Sequence, residues 1–489
     1  MRRNKEFFIV LSISVTFFVL NISTISRFPT VWIDEVSYSD PAVNYNLGAG
    51  FVSTSWASQS NTEFWASNAP LHQFLLTPWL SLFGISITAV RSFDLFLFFL
   101  SSLILWLLMI KLQIGRRLLT RIIILLCFWC GEMISWIYRC GRPDVITILL
   151  ALLTFWSYYY FLKPKGWLLI ALIGFLSPIA GIQLPPFIVV TLFVFFLISN
   201  ERTKIIRFGL LYSISVFAGL GCLLAFLYLK GVALRFLQMT FAAGYTFTGD
   251  IAQKVLLNDS KVNARISDKF DTLFNYSDFF TRDHSFLILF VLLTILFIYF
   301  LTKGTIKIKS VAFYGYLFSL SLPAIMLLLG RYPVYYSWMG YIIIILLTAH
   351  YLDLADLSKP IKNSCYLILI VTTFLGLPLQ IIKSYITPNN DQTIIKYFIE
   401  RNITKADIVY SDHITYYPLK RLTKECYFNS YSGGRGLPNF PAEQLNRINC
   451  IILSDVKSDV KIKSIWEREI WMAIDSIDKP KLVIYKKKL

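Results

Sequence analysis

Apolar runs close to twenty residues long recur along this chain, and no other sequence feature limits its fold as strongly. A helix needs about 20 mainly apolar residues to cross the hydrocarbon core of a bilayer. Within that core only helices and closed barrels satisfy their own backbone hydrogen bonds. Allowing somewhat fewer where a helix is short or broken, about eleven segments qualify, the fifth and sixth weakly: residues 7–26, 89–110, 118–138, 144–162, 167–182, 185–199, 208–229, 285–302, 311–330, 338–352 and 364–383. Pro178, Pro185 and Pro186 interrupt the fifth and sixth, which predicts two short helices meeting near one surface. Composition agrees, because only 16% of residues are charged and 56% are hydrophobic, where a soluble domain carries roughly 25% charged residues. The first apolar segment has no small-residue cleavage site and reads as a retained span. The expected architecture is an all-α polytopic membrane protein carrying a small C-terminal α/β domain.

The formal charge of +18 would suit a nucleic-acid partner only if it were gathered in a basic domain. It falls instead between the apolar runs, which points to membrane lipids as partners and to no nucleic acid. Arg2, Arg3 and Lys5 precede the first span. The same side then receives Lys111, Arg116 and Arg117, Lys163 and Lys165, Arg202, Lys204 and Arg207, Lys303, Lys307 and Lys309, and Lys359 and Lys362. Short cytoplasmic loops are enriched in Lys and Arg, so that side and the N-terminus are expected in the cytoplasm. Loops 27–88, 230–284 and 331–337 then lie outside, together with everything beyond the last span.

Two domains are expected: 1–385 in the membrane and 386–489 as an extracytoplasmic α/β unit. In the second, helix-like D-Q-T-I-I-K-Y-F-I-E precedes strand-like A-D-I-V-Y, C-I-I-L and K-L-V-I-Y. Cys426 and Cys450 could pair there. In loop 230–284, Val255, Val262, Ile266, Phe270 and Phe274 recur mostly at helical spacing and suggest a helix lying against the membrane or the protein. No internal repeat of the kind that marks secondary transporters is present.

With its outer face assigned, the chain offers few groups for chemistry. Asp34 and Glu35, in W-I-D-E-V-S-Y, follow the first span by a few residues, at the depth where a lipid presents its phosphate. A carboxylate there can take a proton from an acceptor or bind a metal; a solvated loop pair or helix cap is the plain alternative. Arg142 and Asp144 in C-G-R-P-D occupy the short hairpin between the third and fourth spans. Arg142 can grip a phosphate and Asp144 can orient a ligand or a divalent metal ion, or the two can simply pair with each other. Arg331, in G-R-Y-P-V-Y-Y-S-W with Tyr335 and Tyr336, suits a bidentate grip on a lipid phosphate or an aromatic-belt anchor. Glu132 and Asp94 fall within spans and need partners, with Arg91 and Arg139 as candidates. His72 sits on the helix-like P-L-H-Q-F-L-L-T-P-W-L-S-L-F-G stretch, and four histidines in the whole chain give a His-based metal site little support.

These positions together resemble the polyprenyl-phosphate-dependent glycosyltransferases of the GT-C fold. The resemblance is to the bacterial family 39-like group that includes protein mannosyltransferases and the aminoarabinose transferase acting on lipid A. It rests on the acidic pair in W-I-D-E-V-S-Y, on P-L-H-Q-F-L-L-T-P-W-L-S-L-F-G-I-S-I-T-A-V-R, on R-P-D in the second outer hairpin and on R-Y-P-V-Y-Y. It implies that Asp34 is the main catalytic carboxylate and base for the acceptor, with Glu35 supporting the acceptor or the loop. Arg142, Arg331, Tyr335 and Tyr336 would face the donor phosphate, and Asp144 would organise that pocket, around a divalent ion if one is used. The partners implied are a polyprenyl-phosphate-linked sugar donor and a glycan, lipid or protein acceptor, at the outer face of a bacterial cytoplasmic membrane. The aminoarabinose transferases tend to carry Lys-Pro-Pro where this chain has Ser67, Asn68, Ala69 and Pro70. A polyprenyl-linked oligosaccharide polymerase or ligase, and a lipid or solute transporter, are the alternatives.

Overall fold

The computed structural model describes residues 2–55, 62–67, 69–163, 165–237, 240, 283–307, 310, 313–319, 334–353, 357–387, 391–423, 425–428, 446–453, 470–478 and 480–488. The amphipathic segment expected at 255–274 and most of the expected span 311–330 lie outside these residues. The first helices are α1 (Arg2–Thr24), α2 (Ile33–Asn46), α3 (Pro70–Phe83), α4 (Ile87–Leu112), α5 (Leu118–Cys130) and α6 (Glu132–Arg139). They are followed by α7 (Asp144–Tyr158), α8 (Gly166–Ala180), α9 (Leu184–Ile198), α10 (Arg202–Leu229), α11 (Ala233–Leu237) and α12 (His284–Thr302). The last of the helical region are α13 (Trp338–Asp353), α14 (Lys359–Thr373) and α15 (Leu377–Ile386).

Among the described residues, five helices are long and apolar enough to cross a membrane: Lys5–Thr24, Ile87–Leu112, Arg202–Leu229, His284–Thr302 and Lys359–Ile386. The pair α5 and α6, bent by 56°, would make a sixth. The other apolar helices are shorter, and α8 and α9 each have 15 residues, about 22 Å at 1.5 Å per residue. That pair meets at Gly181–Gln183, as the prolines require: Pro185 and Pro186 sit in the first turn of α9, where no helical N–H is lost.

The break between α5 and α6 is held by side chains. A bend inside a membrane helix frees carbonyls that need other donors. Here Tyr341 Oη donates to the Cys127 carbonyl at 2.8 Å and Tyr138 Oη to the Trp129 carbonyl at 2.8 Å. The Glu132 amide beyond the break donates to Ser285 Oγ at 2.9 Å.

Tight contact between α8 and α10 depends on missing side chains. A Cβ on Gly219 would lie 2.0 Å from the Phe175 carbonyl oxygen, and one on Gly174 would lie 2.8 Å from that of Tyr212. Small residues permit such backbone approach between membrane helices. Gly219→Ala should therefore destabilise the protein by about 1–3 kcal/mol through overpacking, overriding the roughly 1 kcal/mol that alanine gains in helix propensity. Thermal unfolding in detergent would show it as a lowered midpoint; an unchanged or raised midpoint would contradict the packing.

After the last span come α16 (Gln392–Asn402), β1 (Ile408–Ser411), α17 (Tyr416–Leu422), β2 (Glu425–Phe428), β3 (Cys450–Leu453), β4 (Trp471–Asp478) and β5 (Lys481–Lys487). The strands form one sheet in the order β2-β1-β3-β5-β4, with β1 parallel to both β2 and β3, and β5 antiparallel to β3 and β4. The register decides against the cysteine pairing left open above. Cys426 and Cys450 both align with Val409 of the intervening β1, so two strand spacings of roughly 4.8 Å separate them. A disulfide needs Cα atoms closer than about 7 Å, and both thiols are free.

Candidate active site

Eight residues separate the end of α1 from the start of α2, whose first turn carries Asp34 and Glu35, where carboxylates favour the helix dipole. The two residues meet different surroundings. Glu35 is fully buried and both its oxygens are held by one edge of Arg91, Nε to Oε1 at 2.8 Å and Nη2 to Oε2 at 2.6 Å. Arg91 Nη1 also donates to the carbonyls of Ile25 and Pro29, at 2.6 and 2.8 Å. The pair thus ties the segment leaving the first span to α2 and α4. Gly141, at φ +62°, packs so closely that a Cβ would lie 2.9 Å from Glu35 Cγ, which brings the second outer hairpin against α2.

That hairpin delivers Arg142 to Asp34. Arg142 Nη1 donates to Asp34 Oδ2 at 2.6 Å, and its Nε donates to Asp144 Oδ2 at 2.7 Å. The Trp32 ring lies 5.3 Å from the guanidinium carbon, a favourable cation–π distance. Arg142 and Asp144 are buried, whereas the Asp34 side chain is 35% exposed. The three residues form a charged chain whose inner end is sealed and whose outer end is open. Asp144 occupies the first position of α7, after Pro143, so the local Arg-Pro-Asp turn and the long-range contact to Asp34 coexist.

Other expected partnerships differ. Arg91 and Arg139 do not pair with Asp94 or Glu132. Asp94 meets His72 instead, Nε2 to Oδ1 at 2.7 Å, with both side chains fully buried. Glu132 accepts from the His284 amide at 2.7 Å, at the start of α12. Arg139 donates to Asn21 Oδ1 at 2.5 Å and to the Phe28 carbonyl at 2.7 Å. In each case the apolar surroundings select whichever polar group the fold brings nearest, and sequence distance does not reveal it. Tyr336 is buried in the short turn Val334–Ser337, which packs on α6. Arg331 and the Tyr335 side chain lie outside the described residues. No group of three or more metal-ligating side chains occurs among the described residues. Asp144 and Asp34 are both engaged by the Arg142 guanidinium.

One group escaped the sequence reading. Asp40, six residues after Asp34 on α2, is fully buried and accepts from Ser53 Oγ at 2.8 Å and from the amides of Thr54 and Ser55 at 2.5 and 3.0 Å. Its remaining partners come from α17: Tyr416 Oη at 2.5 Å and Lys420 Nζ at 3.0 Å. Burial by itself would raise this carboxyl, but Lys420 and the hydroxyls of Tyr416 and Ser53 outweigh it and hold the carboxyl below its ordinary range. The available signal was spacing, since Asp40 and Asn44, and Tyr416 and Lys420, are each four residues apart, on one helix face.

No protein-family model and no curated protein matches the sequence. Solved structures do. The Archaeoglobus fulgidus oligosaccharyltransferase in complex with zinc and sulfate superposes with a TM-score of 0.53 at 11% identity, covering 91% of this chain and 67% of that one. Its apo form gives 0.51 at 9% identity, covering 91% and 69%. ArnT from Cupriavidus metallidurans bound to undecaprenyl phosphate gives 0.49 at 10% identity, covering 98% and 97%. At such identities the likeness is one of fold, and this integral membrane chain has the GT-C fold of membrane glycosyltransferases.

Proposed function

We propose that the protein is an inverting glycosyltransferase that moves a sugar from a polyprenyl-phosphate donor to a glycan, lipid or protein acceptor. In this reading the chain crosses a bacterial cytoplasmic membrane about eleven times, each crossing needing about 20 apolar residues or a shorter or broken helix. Asp34 and the 386–489 domain then face outward. The observation that carries the reading is the Asp34–Arg142–Asp144 chain, open only at Asp34. The shared fold supports it, and so does the position of Asp34 just beyond the first span.

Each residue then has a role that its geometry suits. Asp144 holds the Nε edge of Arg142, so the guanidinium is already oriented when the donor phosphate arrives, and a planar fork suits phosphate oxygens. With no phosphate bound, the same guanidinium holds the Asp34 carboxylate through Nη1. Donor phosphate competes for Arg142 and so frees Asp34 as it binds. The acceptor oxygen or nitrogen then attacks the anomeric carbon from the face opposite the phosphate. The bond from that carbon to the phosphate oxygen breaks, polyprenyl phosphate leaves with the electron pair, and the acceptor proton passes to Asp34. The leaving group is an already stabilised anion, so no protonating acid is required. Glu35, locked to Arg91, positions α2 and takes no part in proton transfer.

Purified protein in vesicles, supplied with radiolabelled polyprenyl-phosphate sugar, tests the reading. Wild type should transfer label, and Arg142→Gln should raise the donor KM by about tenfold or more, as loss of a charge-assisted hydrogen-bond pair predicts. Wild-type protein that moves substrate across the vesicle without transferring sugar would point to transport. An unchanged donor KM in the variant would remove Arg142 from the phosphate site.

A further inference from the structure

The C-terminal sheet domain is not tethered to the membrane part by its linker alone. Helix α17 meets α2 through its side chains, and the two match polar groups at the same four-residue spacing. Tyr416 Oη and Lys420 Nζ reach Asp40 at 2.5 and 3.0 Å, and Lys420 Nζ also reaches Asn44 Oδ1 at 2.7 Å. On the neighbouring face of α2, Tyr417 Oη lies 3.3 Å from Ser39 Oγ and donates to Glu35 Oε1 at 3.4 Å. The loop that follows α2 joins the same knot, because Thr54 Oγ1 accepts from Lys420 Nζ at 2.6 Å. The ion pair at its centre is sealed from water: Lys420 is 6% exposed and Asp40 0%. The apolar core runs through without interruption, with Tyr416, Tyr417 and Leu419 in one buried cluster with Val36, Val43 and Val90.

We infer that Tyr416, Tyr417 and Lys420 are positioning residues for the transfer site, which makes the C-terminal domain a working part of it; this rests on the function proposed above. Asp34 stands on the first turn of α2; Pro41 interrupts the helix's hydrogen bonding further along, but Glu35, Ser39 and Asp40 lie on the Asp34 side of that break and share its turns. Whatever sets the rotation and height of Glu35, Ser39 and Asp40 therefore sets Asp34 against Arg142. An apolar contact tolerates sliding, but a buried ammonium that must meet Asp40, Asn44 and Thr54 at once does not. Arg91 fixes one side of α2 from the membrane and Lys420 fixes the other from the sheet domain, so the catalytic carboxylate is held between them.

The test uses full-length protein in nanodiscs and compares Lys420→Met, Lys420→Arg and Tyr417→Phe with wild type. Lys420→Met should lower kcat for transfer about ten- to a hundredfold, the cost of a misplacement near 1 Å, while the donor KM changes less than about twofold because the phosphate grip on Arg142 is untouched. Lys420→Arg, which keeps the charge, should restore most of the rate. Hydrogen exchange of the α2 amides should quicken in the Met variant and return toward wild type in the Arg variant. Tyr417→Phe removes one hydroxyl and leaves Asp40 satisfied, so it serves if the Met variant does not fold; a smaller fall in kcat and faster exchange in the first half of α2 are expected. Folded variants with wild-type kcat, or with unaltered α2 exchange, would overturn the inference. Wild-type protein that transfers no sugar would overturn the proposed function instead, and the exchange measurements would still decide whether α17 holds α2.

Discussion

Asp34→Asn should slow sugar transfer by about 10²–10⁴-fold, the range expected when a positioned general base is removed, and should leave the protein folded. The side chain is 35% exposed and asparagine is nearly isosteric, so no buried charge is stranded at that position. Donor KM should not rise, because Arg142 loses a competitor for its Nη1 edge and keeps Asp144. The expected signature is a loss confined to kcat. Asp34→Glu keeps the charge but shifts the carboxylate by about one C–C bond, roughly 1.5 Å, and should recover only part of the rate. Steady-state transfer from a labelled donor separates the two parameters. An Asn variant within tenfold of wild-type kcat would show that another group takes the proton.

The second large effect is on stability and comes from the neighbouring residue. Glu35→Gln should destabilise the fold by about 3–5 kcal/mol, the cost of breaking a fully buried ion pair by removing one partner. Arg91 has no exposure through which to recover solvation, and the two backbone carbonyls that remain to it, of Ile25 and Pro29, carry no net charge. Unfolding in detergent, followed by thermal midpoint and by yield of monodisperse protein, should show a fall far beyond that of Asp34→Asn. A Glu35→Gln variant as stable as wild type would mean that the pair is not the anchor of α2. Adjacent carboxylates would thus fail in different ways, one in rate and one in folding.

That contrast marks what a reader of the sequence could and could not see. The position of Asp34 beyond a span, and the arrival of Arg142 and Asp144 on the next outer hairpin, follow from counting apolar runs and alternating charges. Their convergence in the structure is therefore not a surprise. Glu35 could not be separated from Asp34 in the same way, because its partner Arg91 lies 56 residues on, within a helix whose inward face depends on packing. His72 with Asp94 and Glu132 with His284 were hidden for the same reason: a span reveals that a charge needs a partner, not which one. The sheet was legible as apolar, β-branched runs, but strand order was not, and order is what separates Cys426 from Cys450. Asp40 offered no sequence signal beyond its spacing from Asn44, because its partners Tyr416 and Lys420 lie 376 or more residues on and meet it only where α17 docks.

The most direct measurement is a structure of the Asp34→Asn protein with the native polyprenyl-phosphate sugar bound. The account predicts donor phosphate oxygens within about 3 Å of the Arg142 guanidinium, Asp144 still on Nε, and the side chain of residue 34 facing the acceptor side of the anomeric carbon. A donor bound elsewhere, with Arg142 still bridging residues 34 and 144 and no phosphate beside it, would contradict it.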